Sequence, residues 1–176
     1  MILSQKIDTP LGSMTACSVE TGICLLAFDN GEYISRETRY LEKHFGATVV
    51  EDTSNHLNLL KLQLSEYFEG SRKEFSVPLS PPGTSFQLSV WNELEKIGYG
   101  KTRTYLEQSL ALGKPESVRA VAHANSLNRI AIIIPCHRVI GTNGTLTGYA
   151  GGLARKEWLI EHEKKHSGHY YDLSLF

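Results

Sequence analysis

Thr104-Tyr105-Leu106-Glu107-Gln108-Ser109-Leu110-Ala111-Leu112-Gly113-Lys114-Pro115-Glu116-Ser117-Val118-Arg119-Ala120-Val121-Ala122-His123-Ala124-Asn125 reads as two helices around a tight turn. Thr104 and Glu107 form a capping-box pattern, in which each side chain satisfies a free amide of the first turn. Gly113 stops that helix, Lys114-Pro115 turns the chain, and Pro115 suits the first position of a helix predicted from about Glu116 to Asn125. Upstream, Phe86, Val90, Leu94 and Ile97 recur at helical spacing behind Ser85 as N-cap, and Gly98 ends the segment. Helix, short Gly-containing turn, helix is the outline of a helix-turn-helix; an ordinary helical hairpin in a core has the same outline. In the second helix Val118, Val121, Ala122 and Asn125 share an inward face, leaving Arg119, Ala120, His123 and Ala124 outside. That outer face is small and carries one prominent cation, which suits approach to a nucleic-acid backbone or minor groove better than base reading.

Charge favours such a partner locally. The 176 residues sum to a net charge of -1, which as a total argues against nucleic acid. Residues 1–83 hold 7 Lys/Arg against 11 Asp/Glu, however, and residues 84–176 hold 11 against 8. Between Lys96 and Lys156 nine cations face only Glu107 and Glu116, an excess of seven that fits a phosphate-binding surface. A merely solvated basic face is the alternative.

The chemistry lies just beyond. Ile130-Ala131-Ile132-Ile133-Ile134-Pro135-Cys136-His137-Arg138-Val139-Ile140 predicts a strand buried on both faces, ended by Pro135, with Cys136 at its tip. A thiolate is the nucleophilic form of cysteine, and a paired base or a cation promotes it; His137 and Arg138 supply one of each. A lone buried structural cysteine would not need them. A Cys-His pair is commonly oriented by a third group. In a last helix, predicted from about Leu153 to Lys164, Lys156, Ile160 and Glu163 share a face, placing Glu163 to orient His137 and Lys156 near the same site; a solvated helix carboxylate is the alternative for Glu163. Gly141 to Gly152 includes five glycines and reads as a lid or a long connection, without a phosphate-loop pattern.

The first half carries no chemical motif. Met14 to Val19 and Ile23 to Phe28 read as strands around the Thr21-Gly22 turn, with helices around Ser35 to Phe45 and His56 to Phe68. Cys17 and Cys24 lack a Cys-x-x-Cys or His pair and read as buried apolar thiols. Three cysteines are too few for a disulfide scaffold, which favours reduced thiols. Pro78-Leu79-Ser80-Pro81-Pro82-Gly83-Thr84 reads as a linker. The longest apolar run, Ile23 to Phe28, is far short of the roughly 20 residues of a membrane span, and the N-terminus lacks the basic and apolar regions of a secretory signal. A cytosolic location is the expectation.

Together these residues resemble a known family. Pro135-Cys136-His137-Arg138-Val139 is similar to the active-site signature of the O6-alkylguanine-DNA alkyltransferases. The resemblance extends through Phe86-Gln87, Val90-Trp91, Ile97 to Thr102, Val118 to Val121, Gly144 to Gly152 and Lys156 to Leu159, covering residues 78–163. It is weaker before the linker, mainly Thr9-Pro10-Leu11-Gly12. The fold it implies is α/β in the α+β sense. An N-terminal ribonuclease-H-like sheet-and-helix domain (1–77) and a linker (78–84) precede a mostly helical, winged helix-turn-helix-like domain (85–166) and a tail (167–176).

The resemblance implies direct-reversal DNA repair. A damaged guanine is flipped from duplex DNA and its O6-alkyl group passes irreversibly to Cys136, once per molecule, with O4-methylthymine a second candidate lesion. By the same resemblance His137 is the base, acting through a water, and Glu163 orients it. Asn128 is a hinge bracing the active-site turn, Tyr105 lies near the target's 3′ phosphate and N3, and Lys156 helps activate Tyr105. Arg119 is the finger filling the vacated stack, beside Ala120, with Thr104 and Arg138 also at the DNA. Val139, Tyr149, Ala150 and Gly151 form the substrate pocket. The implied partner is double-stranded DNA carrying O6-alkylguanine, met in the minor groove with little sequence specificity, by a monomer that needs no cofactor, metal or membrane, in a nucleoid-accessible cytoplasm. Two departures stand out: Arg129 follows Asn128 where members usually have Pro, which implies a less rigid hinge, and Ala122-His123 replaces a common Gly. A cysteine hydrolase using Cys136, His137 and Glu163, or a non-enzymatic DNA-binding regulator, would explain parts of the pattern.

Overall fold

The computed structural model describes residues 1–168. The chain forms two compact units, Met1–Thr84 with Arg129–Ala131, and Ser85–Asn128 with the described residues from Ile132 onward. The class is α+β. No helix among the described residues is long and apolar enough to cross a membrane.

The first unit is built on a sheet in the order β3-β2-β1-β4, from β1 (Ile2–Thr9), β2 (Gly12–Val19), β3 (Gly22–Phe28) and β4 (Val49–Glu51). β1 and β2, and β2 and β3, are antiparallel hairpin neighbours, whereas β4 joins β1 in parallel after the crossover helix α1 (Gly31–Phe45). The ladder shifts between Cys17 and Ser18, leaving Cys24 as a bulge residue whose Sγ lies 3.4 Å from the Cys17 carbonyl oxygen. Both thiols are buried, as expected, and burial pushes Cys17 up to about 11 and Cys24 to about 12, so they are inert. With Ile2, Leu25, Ala27 and Leu41 they form one core cluster, covered by Tyr33, Ile34 and Phe45 of α1. Asn30 and Ser54 cap α1 and α2 (Asn55–Glu69) by accepting from Tyr33 and Leu57 amides, and Gly46 and Gly70 end them in left-handed conformations.

The proline-rich stretch is not a free tether. Ile23 donates to the Pro78 carbonyl at 2.8 Å and Ser80 donates to the Ile23 carbonyl at 2.7 Å, so residues 78–80 lie against the start of β3. A Cβ on Gly22 would come within 2.5 Å of the Pro78 oxygen, which leaves glycine as the residue that fits there.

The second unit holds α3 (Ser85–Glu95), the short strand β5 (Arg103–Thr104), α4 (Tyr105–Ala111), a 3₁₀ turn at Pro115–Ser117, α5 (Val118–Ser126), a second 3₁₀ turn at Cys136–Arg138, β6 (Val139–Ile140) and α6 (Leu153–His166). The predicted capping box is present: Thr104 Oγ1 accepts from the Glu107 amide and Glu107 accepts from the Thr104 amide. Ser85 lies inside α3 rather than capping it, and α5 starts after a 3₁₀ turn rather than at Glu116. The buried Trp91 of α3 donates its indole N–H to the Ala124 carbonyl at 2.9 Å, pinning α5. Ala124 is therefore buried, not on the outer face expected of it, because α3 packs over that side.

The predicted strand over Ile130 to Ile134 does not form. Ile130 alone bridges Leu26 of β3, and the chain then turns, with Ile132 at φ 71. Positive φ is strained for a β-branched residue, and it breaks the extended path before Pro135. The apolar run reflects real burial of Ile130, Ile132 and Ile134, but in a turn.

Candidate active site

Cys136 opens the 3₁₀ turn that follows, its amide donating to the Ile134 carbonyl at 2.8 Å. Asn128 spans this turn: its Nδ2 donates to the Ile134 carbonyl at 2.8 Å and to Cys136 Sγ at 3.2 Å. Burial pushes the Cys136 thiol up, while the Asn128 amide and the Lys156 ammonium pull it down without cancelling that. At rest the sulfur is held as a thiol beside groups that favour the thiolate.

His137, next in sequence, is fully buried, and its Nε2 lies 2.7 Å from Glu163 Oε1 on α6. With Nε2–H donating to the carboxylate, Nδ1 keeps its lone pair, and Nδ1 is buried without a hydrogen-bond partner among the described residues. Burial, opposed by Glu163, lowers the His137 pKa, so the ring is neutral and able to accept a proton at neutral pH. Burial acts to raise the Glu163 pKa, yet His137 and Arg138 outweigh it and hold this carboxyl well below its usual range.

Arg138 is the main correction to the expected site. It does not face a DNA partner: Nε and Nη2 donate to Glu163 at 2.8 and 3.0 Å, Nη1 donates to the Ile97 carbonyl, and the side chain is buried. A guanidinium beside a carboxylate buried for the histidine's sake is drawn to that carboxylate, because a buried charge must be paired.

Lys156 is also fully buried, with Nζ donating to the carbonyls of Val139 (2.6 Å) and Thr147 (2.8 Å). Burial pushes its pKa down to about 8. Tyr105 Oη donates to the same Thr147 carbonyl at 3.1 Å, and Lys156 Nζ lies 5.8 Å from the Tyr105 ring centre. The two residues thus meet through one carbonyl of the glycine-rich loop, and Lys156 braces that loop.

A cleft of about 360 Å³ opens beside Cys136, walled by Tyr105, Arg119, Ala122, Asn125 and Tyr149, with Thr147 to Ala150 forming its loop side. Arg119 and Ala120 are exposed on α5. The Tyr149 hydroxyl is buried without a hydrogen-bond partner among the described residues. Val139 and Gly151, expected in the pocket, are not among its walls: Val139 is buried core paired with Arg103, and the Gly151 carbonyl accepts from Arg155. Thr104 spends its hydroxyl on the α4 cap. Asn125 and Ser126 line the cleft and were not expected there; a polar pair ending a helix otherwise small and apolar was the available signal.

Arg129, where a loosened hinge was expected, is held firmly within the first unit. Its Nε pairs with Glu37 Oε2 at 3.0 Å, its Nη1 donates to the Pro82 carbonyl at 3.0 Å, and its guanidinium lies 4.0 Å from the centre of the Tyr40 ring. Leu26 donates to the Arg129 carbonyl and Ala131 donates back to the Leu26 carbonyl, both at 2.8 Å. Side-chain and ladder contacts hold here what a proline ring would hold covalently.

Comparison with known proteins gives the family. Residues 85–165 match the family described as 6-O-methylguanine DNA methyltransferase, DNA binding domain, and residues 2–81 match its ribonuclease-like domain. The constitutive methylated-DNA--protein-cysteine methyltransferase of Bacillus subtilis is 43% identical over 159 residues, covering 89% of this chain and 92% of that one. A Methanosarcina acetivorans protein of the same name is 58% identical over 101 residues, 57% of this chain; this alignment spans 65% of the relative's length. The crystal structure of Mycobacterium tuberculosis OGT in complex with DNA superposes with a TM-score of 0.77 at 37% identity, covering 93% of this chain and 94% of that one.

Proposed function

The chain belongs to the 6-O-methylguanine DNA methyltransferase family, and we propose on that premise that it repairs alkylated guanine in DNA by moving the alkyl group to Cys136. The protein is a methylated-DNA–protein-cysteine methyltransferase acting by direct reversal, with DNA as its partner. One observation carries the assignment of the acceptor: Cys136 opens onto the cleft whose wall is the second helix of the helix-turn-helix, so the reactive sulfur and the DNA-facing element share one surface.

The residues divide the work as follows. The extruded guanine enters the cleft beside Tyr105 and Tyr149, and the Arg119 side chain fills the gap left in the stack, offsetting part of the few kcal/mol that unstacking costs. His137 Nδ1 takes the Cys136 proton through a bridging water, and Glu163 stabilises the imidazolium. The Asn128 amide and the Lys156 ammonium favour the thiolate that results. The sulfur attacks the alkyl carbon; an S–C bond forms as the C–O6 bond breaks, and guanine leaves with a proton equal to the one the thiol lost. With guanine bound, the Tyr105 hydroxyl turns its one proton from the Thr147 carbonyl toward N3 and so eases the departure of that electron pair. The thioether has no neighbouring group to reverse it, and each molecule acts once. The location that suits this substrate is a nucleoid-accessible cytoplasm.

The test is intact-mass and peptide mapping after incubation with a duplex containing O6-methylguanine. The Cys136 peptide gains one methylene in step with the guanine regenerated, and the reaction stops at one equivalent. Absence of that gain, or repeated turnover, would overturn the assignment.

A further inference from the structure

The two helices flanking the cleft are tied by a pair of amides that the chemistry does not use. Gln108 Nε2 donates to Asn125 Oδ1 at 2.9 Å, and Asn125 Nδ2 donates to Gln108 Oε1 at 2.7 Å. Gln108 is fully buried and Asn125 nearly so. Each amide satisfies one donor and one acceptor of the other, and this ring closes at a single register of α4 against α5. A slide by a fraction of a turn would break both bonds and leave two buried amides unsatisfied, a penalty that apolar contacts do not impose.

The pair lies where register matters. Gln108 is three residues along α4 from Tyr105, and Asn125 is three and seven residues from Ala122 and Val118 on α5, so each amide shares a helix face with cleft residues of its own helix. Tyr105 is also held from the loop side, through Thr147. α5, which carries Arg119, is held by Trp91 on its α3 side, and on its α4 side the amide pair fixes its register.

We propose that Gln108 and Asn125 are positioning residues, whose reciprocal amide pair sets the register at which α5 presents Arg119 to duplex DNA. The proposal rests on the reading of Cys136 as alkyl acceptor. Gln108 is not a wall of the cleft and touches no reacting atom; it acts through Asn125. Buried polar pairs are best attested in this role of fixing register rather than adding stability.

The test separates substrates. Free O6-benzylguanine needs Cys136 and the cleft but not the DNA-facing register of α5, whereas an O6-methylguanine duplex needs both. Gln108→Leu is expected to lower the single-turnover rate on the duplex by about tenfold, the scale of a small misplacement, while the rate with free O6-benzylguanine is kept. Equal slowing with both substrates, or an unchanged duplex rate in the folded variant, would overturn the proposal. Should Gln108→Leu fail to fold, Gln108→Asn leaves the amides one methylene short and slows duplex repair. The swap Gln108→Asn with Asn125→Gln closes the ring again and recovers the duplex rate taken relative to the same variant's rate with free O6-benzylguanine, a ratio in which any change at the Asn125 cleft wall cancels; no recovery of that ratio would overturn the proposal. The wild-type protein run alongside keeps the two readings apart: its failure to take up the methyl group would count against Cys136 as acceptor, not against the amide pair.

Discussion

His137 Nε2 lies 2.7 Å from Glu163 Oε1 with both side chains buried, and Arg138 grips both oxygens of the same carboxylate. One carboxylate thus serves two neighbours in sequence. It fixes the tautomer that leaves His137 Nδ1 free to take a proton, and it neutralises the guanidinium that stabilises it. The two residues after Cys136 are coupled through a single side chain from the last helix.

Glu163→Gln tests that coupling. The imidazolium loses its counter-charge and Arg138 is left buried and unpaired, a change that costs about 3–5 kcal/mol of stability. Methyl transfer should fall by about a hundredfold, at the low end of what a positioned acid–base group contributes. Chemical denaturation and single-turnover kinetics measure the two effects, and a variant keeping the wild-type rate would remove Glu163 from the mechanism.

Acid should disable the protein in two ways. His137 has a folded pKa below its ordinary 6.5, so the unfolded chain binds more protons and stability falls as the pH drops below that value toward the folded one. Glu163 has a folded pKa well below its ordinary 4.5, so its contribution is present above that value and is lost as the pH falls beneath it. Transfer should decline on acidification with a midpoint under 6.5, as His137 becomes protonated and cannot accept. A midpoint at or above 6.5 would count against the buried His137 as the base.

Asn128→Ala removes the donor to Cys136 Sγ, and that donor lowers the thiol pKa. The pH profile for alkylation of Cys136 by iodoacetamide should therefore move to higher pH, with slower transfer at neutral pH. A profile that stays in place would show that Asn128 shapes the turn without tuning the sulfur.

On the proposed finger role of the exposed Arg119, Arg119→Ala should slow repair of duplex DNA far more than reaction with free O6-benzylguanine, because base extrusion is needed only for the duplex. Parallel single-turnover assays on the two substrates decide it, and equal slowing would count against the finger.

Arg129→Ala leaves the buried Glu37 with only the exposed Arg36, whose Nε lies 3.5 Å from Oε1, and should destabilise the fold by about 2 kcal/mol. Adding Glu37→Gln should return part of the loss, since it removes a buried charge that the exposed Arg36 alone compensates only in part. Urea denaturation of the single and double variants reads this out, and a single variant as stable as wild type would mean that the Tyr40 and Pro82 contacts suffice.

Much of this was legible in the chain. The capping box, the helix-turn-helix, the Cys-His pair and the helix bearing Lys156 and Glu163 all depend on spacings a few residues apart. β1 and β4 were missed because their burial does not alternate; β1 buries only Ile2 and Ile7, and its place in the sheet comes from backbone bonds to β2 and β4. The isoleucine run misled because burial alone does not separate a strand from a turn, and the positive φ of Ile132 leaves no mark in residue type. Arg138 looked like one more cation of a basic surface until its partner, 25 residues away, was placed beside it.

By itself the sequence determined the adjacent Cys136-His137 pair, the helix pair and the family, because each is written in local pattern. Which groups meet across long separations was decided only by the tertiary structure: Arg138 turned to Glu163, Arg129 tied to Glu37, and Gln108 clasped to Asn125. The reason is physical. A charge or an amide taken out of water must find a partner, and the folded packing selects which partner is within reach.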